Sequence, residues 1–182
     1  YLEKTSVGNI TFWGFSTENW DRAKEEVDYI MGAITKMARD VRNDFVKNKI
    51  GFRHFGRKDR IPEALRELFA EIERETSAFV ERRVGIALDY GGRDEILRAI
   101  NKLPDNTSIS ETQFSDALDT SDFPDPDLII RTSGEQRLSG IMPWQGVYSE
   151  LYFTPLFYPD FTTEEFGLAV QDYGSRKRNF GR

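Results

Sequence analysis

The 182 residues contain no cysteine, a single histidine and three methionines, and these shortages close off whole classes of protein. Without cysteine there is neither a disulfide framework nor a thiolate metal site. With His54 as the only histidine, a multi-histidine metal centre is excluded too. No apolar run approaches the roughly 18 residues of a membrane-spanning helix, and the opening residues carry no secretory pattern. Positive charge is also short. Against 31 acidic residues stand 25 Lys and Arg, a net charge of −6, which weighs against a nucleic-acid partner, because phosphate backbones demand a basic surface. Any phosphate-bearing ligand must be met by a local basic pocket. A cytoplasmic location is expected.

What remains is ordinary for a folded chain, with 38% hydrophobic and 31% charged residues. A single domain over residues 1–182 is expected, long enough for a substantial core. YLEK at residues 1–4 reads as the tail of a helix that starts upstream. Short apolar runs predict strands at residues 9–16, 50–56, 84–90, 127–132 and 150–154. Between them, residues 21–46 repeat Val27, Ile30, Met31, Ile34, Met37, Ala38 and Val41 at helical spacing. Further helices are predicted from Pro62 to about Phe79, in GGRDEILRAI after its glycine turn, and over residues 163–173. One short helix, SETQFSDAL, breaks the polar stretch 103–122. Strands alternating with helices imply an α/β fold, a mostly parallel central sheet flanked by helices.

Ligands of such sheets bind outside the carboxyl ends of the strands. FSTENW, DYGGRDE and RTSGEQR each follow a predicted strand, so they should gather on one sheet edge. In the last of these, Arg131 and Arg137 bracket Ser133 and Gly134, with Ser139 beyond. Guanidinium groups match phosphate oxygens, and two of them would clamp a diphosphate. Equally, they could belong to a solvated loop, paired with Glu135 and Asp127. Ser16, Thr17, Glu18 and Asn19 sit between Phe15 and Trp20, with Arg22 beyond; helix capping explains part of this but not Trp20 and Arg22. Glu150, at the mouth of a strand, suits Mg²⁺ shared with phosphate, or is a plain edge acid. The glycines of GGRDE can serve the turn alone, with Arg93 pairing with Asp94 or Asp89. His54 reads as a packed histidine. Phe12, Trp13, Ile30, Met31, Ile34 and Met37 are either core or the lining of a tunnel.

GFSTENWDRAKEEV, FGRKDRIPEAL, ALDYGGRDEI, DPDLIIRTSGEQRLSG and PWQGVYSELYFTPLFYPDF, in that order and over nearly the whole chain, resemble the cis-prenyltransferase family, best known for undecaprenyl diphosphate synthases. The resemblance implies an enzyme that condenses isopentenyl diphosphate onto an allylic diphosphate of farnesyl or geranylgeranyl type, with Mg²⁺, to give a Z-polyprenyl diphosphate. It implies an apolar product tunnel, a homodimer, and contact with the membrane that receives the lipid product. By motif, Arg131, Arg137, Leu138 and Ser139 would hold the diphosphate of isopentenyl diphosphate, and Glu150 would bind Mg²⁺. Ser16, Thr17, Glu18, Trp20 and Arg22 would line the substrate site, with Asn19 assisting proton removal. Arg178 and Gly181 would reach across the dimer, and a small residue at Gly14 would leave the tunnel open for a medium or long product.

The family's opening aspartate-glycine-asparagine loop has no counterpart in these residues, which keeps a noncatalytic lipid-binding or regulatory subunit of the same fold as the alternative. Ala23 and Gly140 stand where proline and asparagine are usual.

Overall fold

A computed structural model describes residues 7–105 and 108–177. The expected helix tail at residues 1–4 and the two tail positions Arg178 and Gly181 lie outside the described residues. The chain divides into two compact units, one ending at Phe123 and the other beginning at Pro124.

The larger unit runs β1 (Asn9–Ser16), α1 (Lys24–Lys47), β2 (Gly51–Phe55), α2 (Glu63–Glu75), β3 (Arg83–Tyr90), α3 (Gly92–Ile100) and α4 (Glu111–Asp116). Its strands form a parallel sheet in the order β1-β3-β2. The unbroken apolar run of β3 reflects its central place, since Gly85 to Tyr90 are all buried, as a strand covered on both faces requires. Ile86 and Leu88 share one buried cluster with Met31 and Ile34 of α1 and Leu65 and Ile72 of α2. Phe52 of β2 lies between Phe45 and Phe69, with ring centroids 5.8 and 5.1 Å away. On the other face Phe55 meets Phe123 edge-on at 4.9 Å. Gly85 makes room for that ring, because a Cβ there would stand 2.4 Å from it.

Two helix boundaries differ from expectation for local reasons. α1 begins at Lys24 because Thr17–Asp21 coils into a 3-10 turn, closed by Arg22 N–H on the Asn19 carbonyl at 3.2 Å, and Ala23 stays extended. α2 stops at Glu75, short of Phe79. There Thr76 donates its hydroxyl to the Ile72 carbonyl at 2.7 Å and accepts the Phe52 N–H at 3.0 Å, tying the helix end to β2. Of the residues expected as core or tunnel wall, Met31 and Ile34 are core, while Met37 is 50% and Phe12 43% exposed. Phe12 is aligned with Ile86, so it faces the helix-covered side of the sheet without being covered.

The smaller unit holds β4 (Leu128–Arg131), a 3-10 turn at Gln145–Tyr148, β5 (Glu150–Phe153) and α5 (Thr163–Ser175). β4 and β5 pair in parallel, Leu128 opposite Glu150 and Arg131 opposite Phe153. Thr162 caps α5 by accepting the Glu165 N–H. The α/β class and the parallel pairing are as expected. Among the described residues the strands pair as a three-stranded and a two-stranded sheet, where one central sheet was expected.

Candidate active site

At the carboxyl end of the three-stranded sheet, the turn after β1 lies against the turn after β3. Gly91 permits this contact, since a Cβ there would stand 2.4 Å from the Thr17 hydroxyl. FSTENW and GGRDE therefore share one sheet edge, as expected, whereas RTSGEQR, expected there with them, follows β4 of the two-stranded sheet. Asn19 Oδ1 accepts the Ser16 N–H at 2.9 Å, so capping accounts for one lone pair of that amide and leaves its other polar capacity open. Burial acts against the Glu18 carboxylate, yet its own N–H, the Ser16 and Thr17 hydroxyls and the charge of Arg60 hold it below the usual glutamate range. Trp20 packs edge-on against buried Phe15 at 5.2 Å. Its indole N–H is buried with no hydrogen-bond partner among the described residues. Arg22 is spent on an exposed i,i+4 pair with Glu26 at 2.7 Å.

Two more residues belong to this edge: Arg60, which sequence reasoning passed over, and Asp89, which it weighed only as a partner for Arg93. Asp89 ends the apolar run of β3, its side chain fully buried, with a left-handed backbone at φ 50°. Its carboxylate takes a forked pair from Arg60, Nε to Oδ2 at 2.8 Å and Nη2 to Oδ1. The Arg60 guanidinium carbon also lies 5.6 Å from the Trp20 ring centroid. The local pairing expected for Arg93 is not made: Asp89 goes to Arg60, and Asp94 to Arg98 at 2.7 Å and Arg57 at 3.4 Å. An aspartate closing an otherwise apolar strand was the available signal. His54 is packed, as read from the sequence, its Nε2 2.9 Å from the Leu88 carbonyl and its ring 5.1 Å from Phe69.

In the smaller unit Arg131 ends β4. It forms no ion pair among the described residues, and its Nε is buried without a hydrogen-bond partner there. A buried donor of this kind calls for an acceptor that the described chain does not supply. The loop that follows is held in unusual backbone. Ser133, Ser139 and Met142 have φ of 68°, 51° and 43°, with Gly134 and Gly140 at 73° and 92°. Such conformations cost energy in non-glycine residues and cluster at ligand sites. Gly134 serves its φ, not a tight contact, for its nearest neighbour would be 3.9 Å away. Arg137 is exposed and paired with Glu135, as the solvated-loop alternative had it, and Asp127 instead accepts from the Tyr173 hydroxyl at 2.9 Å. Leu138 is half-buried and Ser139 exposed.

Glu150 opens β5 at the end opposite Arg131, so strand register does not place it beside that arginine. Its carboxylate is held by Arg176 at 2.9 Å, a partner that sequence reasoning did not name. Among the described residues no three His, Cys, Asp or Glu converge as a metal cage. Mg²⁺ needs no such cage, since one or two carboxylates suffice when phosphate and water supply the remaining oxygens. Glu150 fits that demand by ligand type.

The prenyltransferase family model of undecaprenyl diphosphate synthase matches residues 1–181. The isoprenyl transferase of Aquifex aeolicus is 42% identical, over 100% of this chain and 80% of its own length. That of Fusobacterium nucleatum is also 42% identical, over 100% of this chain and 79% of the relative. Among solved structures, lavandulyl diphosphate synthase from Lavandula x intermedia, in complex with dimethylallyl diphosphate, superimposes with a TM-score of 0.91 at 34% identity, over 97% of this chain and 80% of that one. With its strand-end motifs arranged on a parallel α/β scaffold and this likeness running over the whole chain, the protein belongs to the undecaprenyl diphosphate synthase family of prenyltransferases.

Proposed function

We propose that the chain condenses isopentenyl diphosphate with an allylic diphosphate of farnesyl or geranylgeranyl type, giving a Z-polyprenyl diphosphate. The observation that carries this reading is Arg131, a strand-end guanidinium whose buried Nε lacks a protein acceptor among the described residues. A diphosphate oxygen supplies that acceptor. In the reaction the allylic C–O bond breaks and diphosphate leaves. The double bond of isopentenyl diphosphate forms the new C–C bond, and one proton is then lost. The chain's task is to hold two highly charged substrates in register and to stabilise the departing charge, not to supply a nucleophile.

Arg131, with Arg137 released from Glu135, Leu138 and Ser139, would seat isopentenyl diphosphate. Ser16, Thr17, Glu18, Trp20 and Arg22 would line the substrate site, and Asn19 would accept or relay the proton with the amide capacity that capping leaves free. Bound Mg²⁺ would offset the charge on the departing diphosphate. Glu150 would hold it once freed from Arg176. The uncovered apolar side chains of Phe12 and Met37 favour a wall for the growing hydrocarbon. A homodimer, a cytoplasmic location and contact with a membrane for product release complete the proposal, with the 182 residues acting as one domain.

The test is elongation by the full-length protein, given isopentenyl diphosphate, farnesyl diphosphate and Mg²⁺, with products read by mass. Five-carbon additions should stop in EDTA. Arg131→Ala should raise the KM for isopentenyl diphosphate roughly 10- to 100-fold, the worth of one charge-assisted hydrogen bond. Elongation by this variant at the wild-type rate and KM would remove the reading.

A further inference from the structure

We propose that Arg60 is a further diphosphate-binding residue of this chain, aimed by Asp89 and acting beside Trp20. The inference rests on the reading of the protein as an enzyme of diphosphate substrates, and three observations carry it. First, the fork on Asp89 occupies Nε and Nη2 of Arg60 and leaves Nη1 with no hydrogen bond among the described residues, on a side chain 36% exposed. Second, the neighbouring donor is empty as well: the Trp20 indole N–H is buried and unpartnered, and its ring lies 5.6 Å from the Arg60 guanidinium. A partly exposed guanidinium nitrogen without an acceptor, over a ring whose own N–H is also unpartnered, marks a place for an oxyanion. Third, the support beneath Arg60 is rigid. Asp89 is fully buried at φ 50°. The loop bearing Arg60 is pressed onto the end of β3 at Gly56, φ 118°, where a Cβ would stand 2.2 Å from the Leu88 carbonyl. Its next residue, Arg57, donates its N–H to the Asp89 carbonyl at 3.0 Å.

A surface ion pair needs none of this. A guanidinium held by a buried carboxylate, with one nitrogen left over, has already lost the rotamer freedom that binding would otherwise take away. Asp89 is thus a positioning residue, and Arg60 makes the contact.

The experiment is calorimetric titration of the full-length protein with inorganic pyrophosphate, isopentenyl diphosphate and farnesyl diphosphate, which needs no turnover. Arg60→Gln keeps a donor for Asp89, and Asp89→Asn keeps the shape of the fork. Arg60→Gln should raise the Kd for pyrophosphate and for one of the two substrates roughly 10- to 100-fold. The affected substrate identifies which diphosphate Arg60 holds. Asp89→Asn should raise the same constant by a smaller factor, because Arg60 remains but is less well aimed. Arg60→Lys, the second variant should Arg60→Gln fail to fold, places its one ammonium on Asp89 and should weaken binding likewise. A folded Arg60→Gln or Arg60→Lys protein with wild-type Kd for all three ligands would reduce the pair to scaffold and overturn the proposal. Failure of the wild-type protein to bind any of them would instead remove the diphosphate reading, and this inference with it.

Discussion

Asp119 joins three parts of the larger unit that are distant in sequence, and removing its carboxylate is a direct test of how the site's scaffold is held. Its two oxygens accept a fork from Arg98 at 2.7 and 2.6 Å, and Oδ2 also accepts the Gly56 N–H at 3.0 Å. Its side chain is 13% exposed and that of Arg98 25%. After discounting for the partly exposed arginine, the fork contributes about 2 kcal/mol. Leaving the Gly56 N–H without an acceptor costs about 1 kcal/mol more. Asp119→Ala should therefore lower the unfolding free energy by about 3 kcal/mol. Asp119→Asn can still accept the Gly56 N–H and should lose about half as much. In a urea titration with a slope of about 2 kcal/mol/M, the midpoints should fall by about 1.5 M and 0.8 M.

The pH dependence of the same pair has a definite sign. Burial acts against the charged carboxylate, but Arg98, the Gly56 N–H and Lys102 outweigh it and hold Asp119 below the usual aspartate range. A depressed folded-state value means that its contribution is complete above about pH 4 and disappears as pH falls through that value. The gap between wild type and Asp119→Asn should close on acidification. Equal midpoint shifts for the two variants, or a gap that survives unchanged to pH 2, would refute the reasoning.

Ala23 has φ −53°, inside the range of a proline ring, and Arg22 before it is extended. Ala23→Pro should raise stability by about 0.4–1 kcal/mol through the unfolded chain, and a drop in Tm would count against it. Burial, the main cause, lowers the His54 pKa below its ordinary value. The unfolded chain then takes up the proton first, so stability should fall as pH drops through about 6.5 towards the folded-state value. The slope of urea midpoint against pH in that window should flatten in His54→Gln, and an unchanged slope would assign it to other groups.

Local signals carried far into this fold. The apolar run NITFWGFS is β1 to the residue, and the i,i+3/i+4 spacing of Val27, Met31, Ile34 and Ala38 marks the buried face of α1. The short helix expected in SETQFSDAL is α4, started by a capping box of Ser110 and Gln113. What escaped depends on pairs remote in the chain. Arg60 and Asp89 are 29 residues apart and Arg98 and Asp119 are 21, so no periodicity links them. The end of α2 was misjudged because Thr76 is claimed by Phe52, 24 residues earlier. Within the candidate site, the strand-end motifs were visible as motifs. Whether each charged side chain is free or spent was not: Arg137 and Glu150 are both engaged by neighbours, while Arg131 Nε has no partner among the described residues.

The strand order β1-β3-β2 has a consequence for biosynthesis. Asn9 at the start of β1 is matched with Arg83, 74 residues later. At about 5–20 residues per second, a ribosome takes roughly 4–15 s to make the intervening chain. During that time ITFWGF is an apolar segment whose hydrogen-bonding mate does not yet exist. It must be shielded by transient collapse against the early helix or by a chaperone, for a bare strand of this composition invites pairing with its copies on neighbouring nascent chains.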